Sequence, residues 1–185
     1  MRKTAALLAL LLAALMTTGC SVREEEYPSA DPVMLSRRLT DRAQWAYEAM
    51  ALPPHKVVTP VQVSPSPSCY AGGFNIEKTV PDVVVFDLSW TVEGIPVDVA
   101  QSVEARLRRK FIAQGWALVH DGNRRGKDFV MLGFRVRDPA TGDAFDLSWN
   151  GVTTSLFLSG YTPCANVPKA AADHPAPGTW TPRTA

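Results

Sequence analysis

The sequence predicts an α+β domain: a mostly antiparallel sheet of about five strands, ordered β-α-β-β-β-β, with an N-terminal helix and a crossover helix packed on it. Three observations carry this expectation. The pentapeptide Phe-Asp-Leu-Ser-Trp occurs at 86–90 and again at 145–149, and its alternation puts Phe, Leu and Trp on one face of a strand and Asp and Ser on the other. Two segments, 31–50 and 98–111, instead repeat their apolar residues at helical spacing. From 116 to 161, short alternating runs are separated by turn-forming residues, as an antiparallel meander requires.

The chain opens on Met1-Arg2-Lys3, an Ala/Leu-rich run at 5–16, and Thr17-Thr18-Gly19-Cys20. A run this short does not span a bilayer comfortably, so residues 1–19 read as a signal peptide. The segment resembles the lipobox of bacterial lipoprotein precursors over residues 1–20, with Thr17 where that pattern commonly has Leu. The resemblance implies cleavage before Cys20, acylation of that cysteine, and a protein held by lipid on the extracytoplasmic face of the cell membrane. Each buried methylene of such an anchor contributes about 0.8 kcal/mol. Residues 20–30, with Glu24-Glu25-Glu26, then form a lipidated cysteine and acidic tether. Export implies an oxidising setting, and the two remaining cysteines, Cys69 and Cys164, form an even pair that predicts a disulfide. Two cysteines without a nearby histidine do not make a zinc site, so no metal is expected, and no cofactor motif is present.

The folded body is expected over 31–164. Loss of Arg2 and Lys3 with the signal takes two of 19 basic residues, leaving a near balance with the 18 acidic ones, so net charge names no partner. Asp31-Pro32 is an N-cap and N1 pair, and Leu35, Leu39, Ala43, Ala46 and Met50 form a stripe that Pro53-Pro54 ends. Prolines punctuate 52–68, which reads as an extended surface segment, and the glycines of 70–74 as a turn. A strand at 83–92 follows. Asp98 is the expected cap of the second helix, with Gln101 three residues on, a stripe at Ala100, Val103, Leu107 and Phe111, and a stop at Gly115. A strand at 116–120 completes a right-handed crossover, with the helix on the Phe/Leu/Trp face.

A strand at 129–137 and a turn at 138–143 lead into a hairpin. Asn150-Gly151 suits a two-residue type I′ turn, which would set Trp149 against Val152, Leu147 against Thr154 and Phe145 against Leu156. Matching Val136, Phe134 and Leu132 to Phe145, Leu147 and Trp149 across the 138–143 turn puts Arg135 opposite Asp146 and Gly133 opposite Ser148. The first helix is expected over the apolar part of the second face, giving one helix per face. Residues 165–185, rich in Pro and Ala, read as a disordered tail in which Trp180 is either incidental or docked back on the body.

Catalytic signatures are scarce. His55, His120 and His174 sit in no recognised motif, and no His-Glu-x-x-His, Gly-x-Ser-x-Gly or dinucleotide fingerprint occurs. Asp87, Ser89, Arg135, Asp146 and Ser148 gather on the polar face and form a candidate ligand face. A solvated ion pair on an exposed face is the plainer account of them. Between 106 and 137 nine basic residues stand against two acidic ones. Of these Arg106, Arg109, Lys110, Arg124, Arg125 and Lys127 form a candidate patch for anionic lipid or envelope polymer, if the loop joins the helix on one side. Nucleic acid is a poor partner outside the cell. The expectation is a membrane-anchored accessory module binding a ligand or an envelope protein. The alternative is a small hydrolase working through Asp87, Arg135 and Asp146.

Overall fold

The computed structural model describes residues 27–54, 56–58, 61–67, 69, 80–126, 130–168 and 179–183. Two helices and eleven strands are formed among them: α1 (Pro32–Met50), β1 (Lys56–Val58), β2 (Val61–Gln62), β3 (Ser64–Ser66), β4 (Val83–Glu93), α2 (Val97–Ala113), β5 (Ala117–Asp121), β6 (Arg124–Arg125), β7 (Val130–Arg137), β8 (Ala144–Asn150), β9 (Ser155–Tyr161), β10 (Ala165–Asn166) and β11 (Thr179–Trp180). The fold is a single α+β domain on a mostly antiparallel sheet. Its main path runs β1-β4-β9-β8-β7-β5, and the short strands β3, β10 and β6 pair at its margins. Five long strands supply the expected sheet, and the additional ones come from segments too short or too proline-rich to read as strands.

The path explains the crossover. From β4, α2 carries the chain over the sheet to its far edge at β5, and β7, β8 and β9 return as a meander that closes against β4. Both helices lie on one face, which corrects the expectation of one on each. Phe111 of α2 packs at 5.6 Å from the Phe145 ring and 4.9 Å from Trp45 of α1. A Cβ on Gly160 would meet Phe145 and the Leu39 side chain of α1 at 2.7 and 2.9 Å. A second layer of two helices covers more of a wide sheet than one helix can, and the resulting core is continuous from Leu35 and Leu39 through Phe86, Leu88 and Trp90 to Leu156 and Leu158.

Local signals set the helix ends. The Asp31 side chain accepts from the Val33 N–H at 2.8 Å and Pro32 occupies the first turn, as expected. Helix α2 starts earlier than its cap signal implied: Pro96 is at the N-cap, and Asp98 sits within the first turn, where its charge favours the helix dipole. Gly115, at φ 87°, ends it.

The hairpin departs from the two-residue turn. Trp149 pairs with Leu156, Leu147 with Leu158 and Phe145 with Gly160, so residues 151–154 form the connection and the register is shifted by four. Thr154 takes the positive φ (48°), and neither Asn150 nor Gly151 does. The even shift keeps the residues of β8 and β9 on their expected faces, sets Leu156 and Leu158 opposite Trp149 and Leu147, and leaves Val152 and Thr154 exposed in the connection. Register on β7 and β8 is as expected, with Arg135 opposite Asp146 and Gly133 opposite Ser148.

The ends of the body extend beyond 31–164. Pro28 and Ala30 exchange backbone hydrogen bonds with Asn166, Ala165 and Val167 are buried, and Trp180 is 7% exposed. Trp180 is docked. Cys69 and Cys164 form a disulfide that ties the approach to β4 to the segment after β9. Cys20, the signal and most of the tether, His55, the 70–74 turn, Lys127, Phe129 and residues 169–178 lie outside the described residues.

Candidate functional site

With both helices on one side, the other face of the sheet carries no helix among the described residues. Alternation sends Ser89, Ser159, Asp146 and Arg135 to it as successive partners across β4, β9, β8 and β7, with His120 of β5 next in line. Arg135 Nε and Nη2 each donate to one Asp146 carboxylate oxygen at 2.5 Å, a two-pronged pair at the surface. Ser89 Oγ donates to Ser159 Oγ at 2.8 Å. The result is one continuous polar row across four strands.

Asp87 belongs to the neighbouring row. It pairs with Tyr161, which pairs in turn with Ala144. Two strand spacings and one two-residue step separate its Cα from that of Asp146 by about 12 Å. Burial pushes the Asp87 carboxyl above its ordinary range. Ser148 stands opposite both Gly133 and Phe157. The five expected residues therefore share one face, but in three rows: Asp87 apart, Ser89 with Asp146 and Arg135, and Ser148 beyond.

Beyond Ser148 the face becomes apolar. Met131 and Phe157 are 54% and 39% exposed, and with Arg125, Val152, Trp149 of the core face and Val97 of α2 they line an open cleft of about 1100 Å³ at the hairpin end of the sheet. Trp149 is fixed there because its Nε1 donates to the Ile95 carbonyl at 2.9 Å. Asn150 braces the adjoining turn through its Oδ1, which accepts from the Val152 and Thr153 amides. A polar row beside a largely apolar cleft can hold an amphiphilic surface or ligand.

Among the described residues, the cations of the expected basic patch are divided between separate places. Arg106 Nη1 donates to the Met50 and Ala51 carbonyls, at 2.5 and 3.3 Å, so this cation caps the C-terminus of α1 and is not part of a free surface. Arg109 and Lys110 sit in the last turns of α2, whereas Arg125 shares the cleft with Val97, the first residue of that helix. Twelve residues of helix put about 18 Å between Val97 and Arg109. The intervening loop meets α2 through neutralised groups. Arg108 is bound by Glu104 at 2.5 Å and by Asp121 at 2.7 Å, and Asn123 Nδ2 donates to Glu104 at 3.2 Å. The hydrogen bond from Arg108, with that from the Asn123 amide, holds the Asp121 carboxyl at about 2.

One ionic site was not foreseen. The 138–143 turn is more than a connection, because it is fastened to α1: Arg38 Nε and Nη2 donate to the Asp143 carboxylate at 2.7 and 2.6 Å, and Arg42 lies 3.7 Å from Asp138. Arg38 and Asp143 are 105 residues apart, so no local pattern announces the pair. Among the described residues no helix is long and apolar enough to cross a membrane, and no group of His, Cys, Asp and Glu is arranged to hold a metal ion. In comparisons with known proteins, no family model, no curated protein and no solved structure matches the chain.

Proposed function

We propose that this protein is a non-catalytic binding module, held by an acylated Cys20 at the extracytoplasmic face of the cell membrane, and that its uncovered sheet face is the contact surface. One observation carries the reading: the polar row through Arg135 and Asp146 lies beside the row of Ser148 and Phe157, which opens on a cleft where Met131, Phe157 and Val152 are exposed. Scattered apolar residues are ordinary on a surface, but a contiguous group beside ordered polar side chains is the composition of a recognition surface. The enzymatic alternative would use Asp87 as an acid beside Asp146. It is less well supported, because Asp146 is already engaged by Arg135 and the two carboxylates lie in different rows of an open face.

Site-specific photo-crosslinking in cells tests the surface. A photoreactive residue at Ser148 or Phe157 should give a discrete adduct with an envelope component, and one at the exposed Ala113 of α2 should not. Equal labelling from both faces, or none from either, would remove the assignment. The anchor is tested by mass spectrometry of the mature N-terminus, where an acylated cysteine is expected and an unmodified Ser21 or Val22 start would refute it.

A further inference from the structure

A second surface, on the helix side at the β4 margin, is already occupied. Residues 179–183 follow ten residues, 169–178, that are Lys, Ala, Asp, His, Pro and Gly. Residues 179–183 lie against the body. Strand β11 pairs with β2 in a two-residue antiparallel ladder separate from the main sheet, Thr179 with Gln62 and Trp180 with Val61. The Trp180 ring packs 5.0 Å from Trp90 and 6.3 Å from Tyr47 of α1. Gln44, 7% exposed, holds both backbone groups of Arg183: its Nε2 donates to the Arg183 carbonyl and its Oε1 accepts from the Arg183 amide, each at 3.1 Å. Glu48 orients that amide by accepting from Nε2 at 2.8 Å.

We infer that the groove formed by α1, β2 and β4 is a recognition site for an extended, tryptophan-bearing peptide, and that residues 179–183 are its occupant in cis. The contact has the parts of a peptide complex: strand addition for the backbone, one aromatic anchor, and a side-chain amide that reads main chain whatever the side chain attached. A two-residue ladder has little stability of its own, so Trp180 is the principal hold. The fit is also incomplete. Trp90, the ring that Trp180 covers, is 2% exposed, and its Nε1 has no hydrogen-bond partner among the described residues. An unpaired buried donor is costly, so a peptide presenting an acceptor to that nitrogen would bind better than the tail does. Until released, residues 179–183 compete at the high effective concentration of a covalently attached segment. The site is independent of the open sheet face, and either proposal can fail without the other.

The test uses a fluorescent peptide of sequence 179–185, Thr-Trp-Thr-Pro-Arg-Thr-Ala, with the intact mature chain and a chain ending at Gly178. The shortened chain should stay folded and bind the peptide saturably. The intact chain should bind at least about tenfold more weakly because its own tail is in place. A peptide with Trp180→Ala should lose roughly thirtyfold or more, as for other buried aromatic anchors. Hydrogen exchange on the unmodified protein gives a readout that needs no truncation: amides at 61–62 and 179–180 should exchange by local opening while those of β8 and β9 remain protected. A folded shortened chain that ignores the peptide, a shortened chain that cannot fold, or ladder amides that exchange only with global unfolding would each make residues 179–183 a plain structural strand.

Discussion

The Arg38–Asp143 and Arg135–Asp146 pairs share a two-pronged geometry and differ in where they lie. Asp143 is 1% exposed and receives both its bonds from Arg38, whereas Arg135 is more than half exposed over Asp146. Removing Arg38 strands a carboxylate that water cannot reach, so Arg38→Ala should cost about 3 kcal/mol in urea unfolding, and Arg135→Ala less than about 1 kcal/mol. Similar losses from both variants would show that burial does not separate the pairs. The pair at Arg135 was legible in the sequence because strand register places it, and the pair at Arg38 was not, because no short-range rule links a helix to a turn 105 residues away. Asp87 makes a different prediction. Its folded carboxyl is raised by burial, so the folded state binds a proton that the unfolded state releases, and stability falls as pH rises from the ordinary value of 3.8 through the raised one. Asp87→Asn mimics the protonated form. It should raise the melting temperature at pH 7, with the gain fading below pH 3.8, and a variant less stable than wild type at pH 7 would mean that the carboxylate is needed in its charged form.

At the scale of elements, alternation was a dependable guide to faces and a poor guide to turn length. Strands β7, β8 and β9 present the residues expected of them, yet the β8–β9 hairpin closes through four residues and not two. An Asn-Gly pair satisfies a type I′ turn, but the same asparagine can instead accept from amides two and three residues on, and Asn150 does this with Val152 and Thr153. Packing opposite Trp149 and Leu147 decides between these local solutions, since Leu156 and Leu158 take those places at 0% and 1% exposure and Val152 is left at 95%. Asn150→Ala should therefore cost about 1 kcal/mol, read as a shift in the denaturation midpoint with an unchanged slope. A loss of cooperativity would instead mean that the side chain sets the register. Placement of α1 was hidden for another reason: its stripe at Leu35, Leu39 and Ala43 announces that one side is buried, and nothing in a stripe names the sheet face that buries it. The hint was Gly160, the small residue opposite Phe145 that leaves room for Leu39.

Across the whole molecule, the segments before and after the meander converge on β4. Strand β3 pairs with it through Ser64–Ser66, with Pro65 at an edge where a missing N–H is tolerated, and β10 pairs with it at Val83 and Val84. The Thr162 hydroxyl accepts from the Phe86 amide within the same region. Composition alone marked both segments as irregular, because proline and alanine give no periodicity, but a partner strand of 11 residues offers a length of edge along which short pieces can pair. Those pieces have too few hydrogen bonds to hold themselves, and the Cys69–Cys164 bond, 95 residues apart in sequence, limits how far they can separate in the unfolded chain. Closing a loop of that length is worth about 4 to 5 kcal/mol on the chain-entropy model. A Cys69→Ala/Cys164→Ala protein should therefore unfold at a lower denaturant concentration by an amount equivalent to about 4 kcal/mol, with Cys69, 1% exposed, adding a small packing loss. The two contributions separate on reduction. Wild type treated with a reductant keeps both side chains and loses only the link, so a drop close to that of the double variant assigns the stability to the cross-link. A reduced protein as stable as the oxidised one would mean that the β3 and β10 contacts suffice without it.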